Sequence, residues 1–167
     1  MIRKKKQYSR PKKLYEKVRI EEENVLVEKY GLKNKHEIWK TLAKVNYYRT
    51  RAKALAKAPI EEQDVLFGKL RALGLNVKIT TDALALQVED ILRRRLPSII
   101  HKLKLARTPQ QARQMVVHKK VRIAGSVVNI PSYLVSVDEE NKITVQHPKH
   151  KAKPVEEKKE EQKEINK

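Results

Sequence analysis

Cysteine is absent from the 167 residues, which excludes disulfides, thiolate zinc sites, iron–sulfur ligation and a thiol nucleophile. Aromatic residues are scarce at 5%, with a single Trp and a single Phe, so the core is expected to be small. No apolar stretch approaches the roughly 20 residues that a membrane helix needs. The opening MIRKKKQYSRPKK lacks the apolar run that a secretory signal carries after its basic start. A soluble, non-secreted chain with no membrane partner is the expectation. Acids are outnumbered: 39 Lys and Arg face 20 Asp and Glu, giving a net charge of +19 and a pI near 10.1. Such a balance points to nucleic acid or an anionic membrane surface as the partner, and with no membrane segment in the sequence nucleic acid is the expectation.

The positive charge is concentrated in two places. Residues 1–20 hold nine Lys and Arg against Glu16, and residues 93–122 hold ten against no acid. Everything else is nearly neutral, a segregation that uniform solubilising charge would not produce. The first cluster contributes Arg3, Lys4, Lys5, Lys6, Arg10, Lys12 and Lys13 as candidate phosphate contacts. With so little apolar surface, this arm is not expected to order itself without RNA.

Helical spacing and stop signals organise the next ninety residues. LYEKVRIEEENVLVEKYG predicts a helix from about 14 to 30 ended by Gly31 in a left-handed cap. Asn34 with Glu37 resembles a capping box, and Ile38, Leu42, Val45, Tyr48, Ala52 and Leu55 then recur on one core-facing stripe. Beside it Lys40, Lys44, Tyr47 and Arg51 form a second line, which is either a solvated face or a nucleic-acid contact. IEEQDVLFGKLRALG predicts a third helix closed by Gly74, and Thr81 can cap a fourth element, DALALQVEDILRRRL. Of Arg93, Arg94 and Arg95 within it, one can pair with Glu89 or Asp90, leaving the others for phosphate.

RTPQQARQMVVHKKVRI, residues 107–123, has five Lys and Arg, one His and no acid. It has no Gly-rich loop, thiol or carboxylate, so it holds neither a phosphate-transfer loop nor an acid/base pair. Thr108 suits the N-cap, Pro109 the first helical position, and Gln111 a capping box that reaches back to the Thr108 backbone. Ala112, Met115 and Val116 lie on one face, leaving Arg113 on the other, with Arg107 beside the free N–H groups of the helix start. With no acid nearby in sequence, Arg107, Arg113, Lys119, Lys120 and Arg122 are candidate phosphate contacts. His118 has no His, Asp or Glu at ligand spacing, so it is either a half-buried junction residue or an RNA contact. Beyond it VRI, SVVNI, YLVSV and KITVQ predict a small antiparallel sheet broken at Gly125-Ser126, Pro131-Ser132 and DEEN. From His147 the charged tail has too little apolar character to fold alone. The expected fold class is α+β, a helical N-terminal half followed by two helices and a small antiparallel sheet. Its expected parts are a basic arm (1–20), a helical domain (21–92), an RNA-binding module (93–150) and a charged tail (151–167).

RTPQQARQMVVHKKVRIAGSVVNIPSYLVSV resembles the alpha-L RNA-binding motif of the small-subunit ribosomal protein four family, and VEDILRRRLPSIIHKLKLA resembles that family's approach to the motif. KYGLKNKHEIWKTLAKV is similar to the archaeal and eukaryotic branch, and together the matches span most of residues 25–145. The chain differs where the family often has Gly, at Lys119, and where many members have Asn, at Ala124. Lacking Cys, it also lacks the N-terminal metal-binding knuckle of some relatives. The resemblance implies a non-catalytic component of the cytoplasmic ribosome with no cofactor. Thr108, Gln111 and His118 join the basic residues above as its expected RNA-contacting set. It implies direct, early binding of small-subunit rRNA at a multi-helix junction in the 5′ domain, nucleation of the subunit body and an influence on decoding accuracy. Implied partners are small-subunit ribosomal protein five and mRNA near the channel by which it enters. An RNA-modifying enzyme carrying the motif would need a separate catalytic domain, for which the helical N-terminal half leaves no room. A free-standing RNA chaperone is the remaining alternative.

Overall fold

Gly31, at φ +59°, ends the first helix of the computed structural model, which describes Lys6 and residues 8–146. That helix, α1, spans Lys17–Tyr30, and the chain turns directly into the long α2, Lys35–Leu55. The Gly31 amide donates back to the Glu28 carbonyl, as a left-handed cap does. A Cβ at Gly31 would lie 2.8 Å from the Pro109 carbonyl carbon, so this turn also needs glycine for close approach to a distant segment. Glu23 is buried on α1 and locks it to α2, accepting from Arg19 at 2.8 Å and from the Trp39 indole at 2.9 Å. Burial pushes its carboxyl up, but the Trp39 and Arg19 hydrogen bonds and the nearby cations outweigh this and hold it below the usual value.

Helix α3, Ile60–Ala72, packs Leu66, Phe67 and Leu70 against Val45 and Ala52 of α2, and this first core extends through Leu75, Val77, Ala83 and Ile91. Leu42, expected in the core stripe of α2, is 42% exposed instead. It sits at the stripe's edge and lines a shallow hollow with Trp39 and Tyr8 of the N-terminal arm. The expected fourth helix is two: α4, Thr80–Ala85, and α5, Val88–Arg93. The break is held open because Arg49 of α2 donates to the Leu86 carbonyl at 2.6 Å, and Asp90 accepts from the Gln87 amide. Asp82, not Thr81, caps α4 by accepting from the Lys78 and Ile79 amides.

A second core belongs to the C-terminal module, formed by α6 (Leu96–Lys102), α7 (Pro109–Val117) and a three-stranded antiparallel sheet. Leu96, Ile99 and Ile100 meet Ala112, Met115 and Val116 beneath Val121, Ile123 and Ile143. Each such aliphatic side chain, taken from water to full burial, contributes about 1.5 to 3 kcal/mol. Strand β1, Val121–Ile123, is central between β2, Ser126–Val127, and β3, Ile143–Val145, with Arg122 opposite Val127 and Thr144. Ala124 and Gly125, at φ +48° and +86°, make the two-residue hairpin turn that suits the strand twist. YLVSV does not become a sheet strand. It runs beside residues 94–96, with Leu96 donating to the Tyr133 carbonyl and Val135 to that of Arg94. DEEN, expected as a turn, lies largely within the short helix α8, Val137–Glu140. The fold is thus α+β, a helical half followed by a two-helix and sheet module. Residues 147–167, including the expected tail, lie outside the described residues.

Candidate nucleic-acid interface

Thr108 caps α7 as its sequence predicts, its hydroxyl accepting from the Gln111 amide at 3.1 Å. Gln111 closes the box one residue earlier than expected, its carbonyl oxygen accepting from the Arg107 amide at 2.8 Å. Both side chains are therefore occupied in holding the helix start, and Arg107 projects beside it, exposed. At the other end His118 forms the C-cap and is exposed rather than half-buried, followed by exposed Lys119 and partly covered Lys120. Arg122 stands on the outer face of β1, because Val121 and Ile123 on either side of it point into the core. Helix α7 thus carries cations at both ends, roughly 13 Å apart for nine residues at about 1.5 Å each.

Arg95 and Arg113 depart from the expectation of free phosphate contacts. Arg95 is 5% exposed and donates to Glu37, while Arg113 grips the same carboxylate through two hydrogen bonds of 3.0 and 2.7 Å. Glu37 is therefore not the capping partner of Asn34. It is the carboxylate on α2 to which the C-terminal module is tied, contributed from 76 residues away. Burial pushes its carboxyl up, but the hydrogen bonds and charges of Arg113 and Arg95 hold it below the usual range. The other two arginines of the triplet are also engaged. Arg93 pairs with Glu89, as the i,i+4 spacing predicts. Arg94 is largely covered, donating to Glu140 at 2.8 Å and to the Val135 carbonyl, so it braces α8 against α5 and is not free for phosphate. Among the described residues no carboxylate lies within 4 Å of Lys104, Arg107, Lys119, Lys120 or Arg122 in an ion pair. These are the cations of residues 93–122 that the fold leaves unspent.

Lys40, Lys44, Tyr47 and Arg51 do form an exposed line on α2, with Arg51 donating to the Tyr47 hydroxyl at 3.1 Å. Lys40, Lys44 and Tyr47 border a cleft of about 740 Å³ whose opposite wall is Pro131, Ser132 and Leu134, with Arg95 and Arg113 on its inner side. Lys44 is accessible to solvent yet crowded by the cleft walls. Desolvation, and then the charge of Arg95, hold its ammonium below the ordinary lysine value. Of the arm, Arg3, Lys4 and Lys5 lie outside the described residues, and Lys6, Arg10, Lys12 and Lys13 are exposed. Its inner part is anchored, contrary to expectation. The Tyr8 ring packs edge-on to His36 at 5.6 Å and near Trp39 at 6.3 Å, and Arg19 donates to the Lys13 and Leu14 carbonyls. Among the described residues no helix is long and apolar enough to cross a membrane, and no group of three metal-ligating side chains occurs.

Two short helices and a small sheet with unpaired cations, docked on preceding helices through the partly buried Glu37 carboxylate, correspond to a family model. The S4 domain matches residues 94–154, placing this chain in the class of S4-domain proteins. The similarity extends well beyond that segment. The chain is 43% identical over 145 residues to small ribosomal subunit protein uS4 of Methanothermobacter thermautotrophicus, covering 83% of this chain and 84% of that protein. It is 40% identical over 148 residues to the uS4 of Korarchaeum cryptofilum, covering 86% and 89%, and 41% identical over 148 residues to that of Picrophilus torridus, covering 83% and 81%. The chain belongs to the small ribosomal subunit protein uS4 family.

Proposed function

We propose that this protein is a structural, non-catalytic component of the small ribosomal subunit in the cytoplasm, where it binds small-subunit rRNA directly. The observation that carries the reading is the cation set left unpaired around α7 and β1, namely Lys104, Arg107, Lys119, Lys120 and Arg122, on a chain of this family. Internal acids neutralise Arg94, Arg95 and Arg113, so the net positive charge that remains faces solvent and suits a phosphate backbone. Exposed Lys6, Arg10, Lys12 and Lys13 extend the surface along the arm, and Arg3, Lys4 and Lys5 continue it in sequence. Binding is early, at a multi-helix junction of the 5′ domain, and nucleates the subunit body. Small-subunit ribosomal protein five and mRNA near its channel of entrance are neighbours, and decoding accuracy depends on the position.

Sedimentation of the native protein tests this reading. It is expected to travel with small subunits and to be stripped from them by high salt. Isolated binding to the junction rRNA should weaken on the order of a thousandfold between about 50 and 200 mM salt if roughly six to ten phosphates are neutralised. Sedimentation with free RNA and never with small subunits would instead support a chaperone outside the ribosome.

A further inference from the structure

The cleft between α2 and residues 131–134 has features that phosphate positioning alone does not require. Among only eight aromatic residues in the chain, Tyr47 and Tyr48 stand side by side at this cleft, their rings 5.6 Å apart and inclined by 62°. Tyr47 leaves 57% of its surface in solvent, so one aromatic face is available while Tyr48 backs it from a half-buried position. Lys40 and Lys44 lie before Arg51 on the same line of α2, and neither has a carboxylate partner among the described residues. The inner wall is unsatisfied too. Arg95 is 5% exposed, and while one terminal nitrogen meets Glu37, the other, Nη1, is buried with no hydrogen-bond partner among the described residues. One carboxylate, Glu37, faces four cations here, Lys40, Lys44, Arg95 and Arg113, so the cleft keeps a positive potential after its internal pairing.

We propose that this cleft is a subsite for one unstacked nucleotide of single-stranded RNA, its base laid on the Tyr47 ring and its phosphate held by Lys40 and Lys44. The volume of about 740 Å³ lies within the range of small-ligand clefts, larger than a lone phosphate needs and too small for a duplex. A planar base, unlike an acidic peptide, uses both the exposed ring and the cations, and every base has a face that stacks. The strand has a path onward. Lys40 lies 5.8 Å from the centre of the Tyr8 ring, and Ala43 is shared between the cleft and the hollow lined by Lys6, Tyr8 and Trp39. The arm therefore continues the site on the side where the next nucleotide would leave. This subsite rests on the RNA-binding reading above and gives it a base contact on the helical domain, separate from the cations around α7.

The test uses the full chain and a short single-stranded oligouridylate carrying one fluorescent purine analogue. Binding is expected to quench the analogue by stacking. Tyr47→Ala should abolish the quenching and weaken binding about tenfold, while Tyr47→Phe keeps both. Lys44→Ala should weaken binding and lower the salt dependence. A Lys119→Ala and Lys120→Ala variant is the control, and any strand it still binds should remain quenched. Circular dichroism confirms that each variant is folded. If the oligonucleotide binds but Tyr47→Ala quenches as the parent does, the subsite is overturned and the RNA reading stands. The subsite is likewise overturned, with the RNA reading intact, if junction rRNA binds and the oligonucleotide does not; if neither binds, both readings fall. Displacement of the strand by equimolar adenosine monophosphate or by a polyglutamate peptide would make the cleft a free-nucleotide or acidic-peptide site and overturn the proposal.

Discussion

Removing the Glu37 carboxylate is expected to loosen the attachment of the C-terminal module to α2. The side chain accepts from Arg95, which is 5% exposed, and from both terminal nitrogens of Arg113, which keeps 20% of its side chain in solvent. Glu37→Ala would leave the Arg95 guanidinium buried without a counter-charge, and breaking such a pair costs about 3 to 5 kcal/mol. Because Glu37 and Arg113 retain 18% and 20% exposure, about 3 kcal/mol is the appropriate end of that range. At about 2 to 4 °C per kcal/mol, the melting temperature should fall by roughly 6 to 12 °C. Glu37→Gln keeps an acceptor and should fall less. Replacing Glu37 with Leu and Arg95 with Met together should restore much of the loss, since the penalty comes from the orphaned charge. The pH dependence has a definite sign. A carboxyl held below its ordinary value of 4.5 contributes stability that is present above that pH and lost as the pH falls through the lowered native value. Glu37→Gln should therefore flatten the acid limb of a denaturation series followed by circular dichroism. Melting of Glu37→Ala within about 1 °C of the parent would mean a cost well under 1 kcal/mol and would refute the clamp.

Three further outcomes follow from local geometry. Gly31→Ala should cost at least about 2 kcal/mol in urea denaturation, since it strains a φ of +59° and drives a methyl to 2.8 Å from the Pro109 backbone. Thr108→Ala should cost about 1 kcal/mol by the same assay, because it removes the acceptor of the Gln111 amide. Lys119→Gly should raise the melting temperature, by relieving a φ of +59°, while lowering the salt slope of rRNA binding by about 1.

The parts that were legible in the sequence are those governed by neighbours along the chain. Thr108-Pro109 marked the start of α7, Gly31 the end of α1, and the change to β-branched residues after His118 marked the sheet. What was hidden came from residues distant in sequence. A count of ten cations and no acids in residues 93–122 cannot see that Glu37 and Glu140 reach in from other elements and pair with four of the ten, whereas the fifth pair, Arg93 with Glu89 inside α5, follows from i,i+4 spacing. For that reason Arg95 and Arg113 are not the free phosphate contacts that the sequence predicts, and Glu37 is not a helix cap. YLVSV has strand composition, but its backbone hydrogen bonds go to residues 94–96 rather than to the sheet. Low apolar content predicts an arm that does not order itself, whereas Tyr8 against His36 and Trp39, together with Arg19 on the Lys13 and Leu14 carbonyls, lays its inner part on the helices.

Backbone strain gives an independent reason to regard the α7 surface as outward-looking. All three non-glycine residues with positive φ among the described residues are in the C-terminal module: Lys104, Lys119 and Ala124. A left-handed conformation costs an L-residue roughly 1 to 2 kcal/mol, and glycine would avoid it. Lys104 closes α6 and Lys119 follows the C-cap of α7, so both occupy places where helices ordinarily end in glycine. Each side chain is exposed and makes no hydrogen bond or ion pair among the described residues, so the fold gains no such contact in return for the strain. A charge kept at a position where the chain alone would favour glycine supports the proposal that these lysines contact rRNA. Nothing in the structure explains why Ala124, which brings no charge, occupies the third such position. The contrast matters, because the support for the proposed rRNA contact comes from the two lysines and their charge, and not from strain in general.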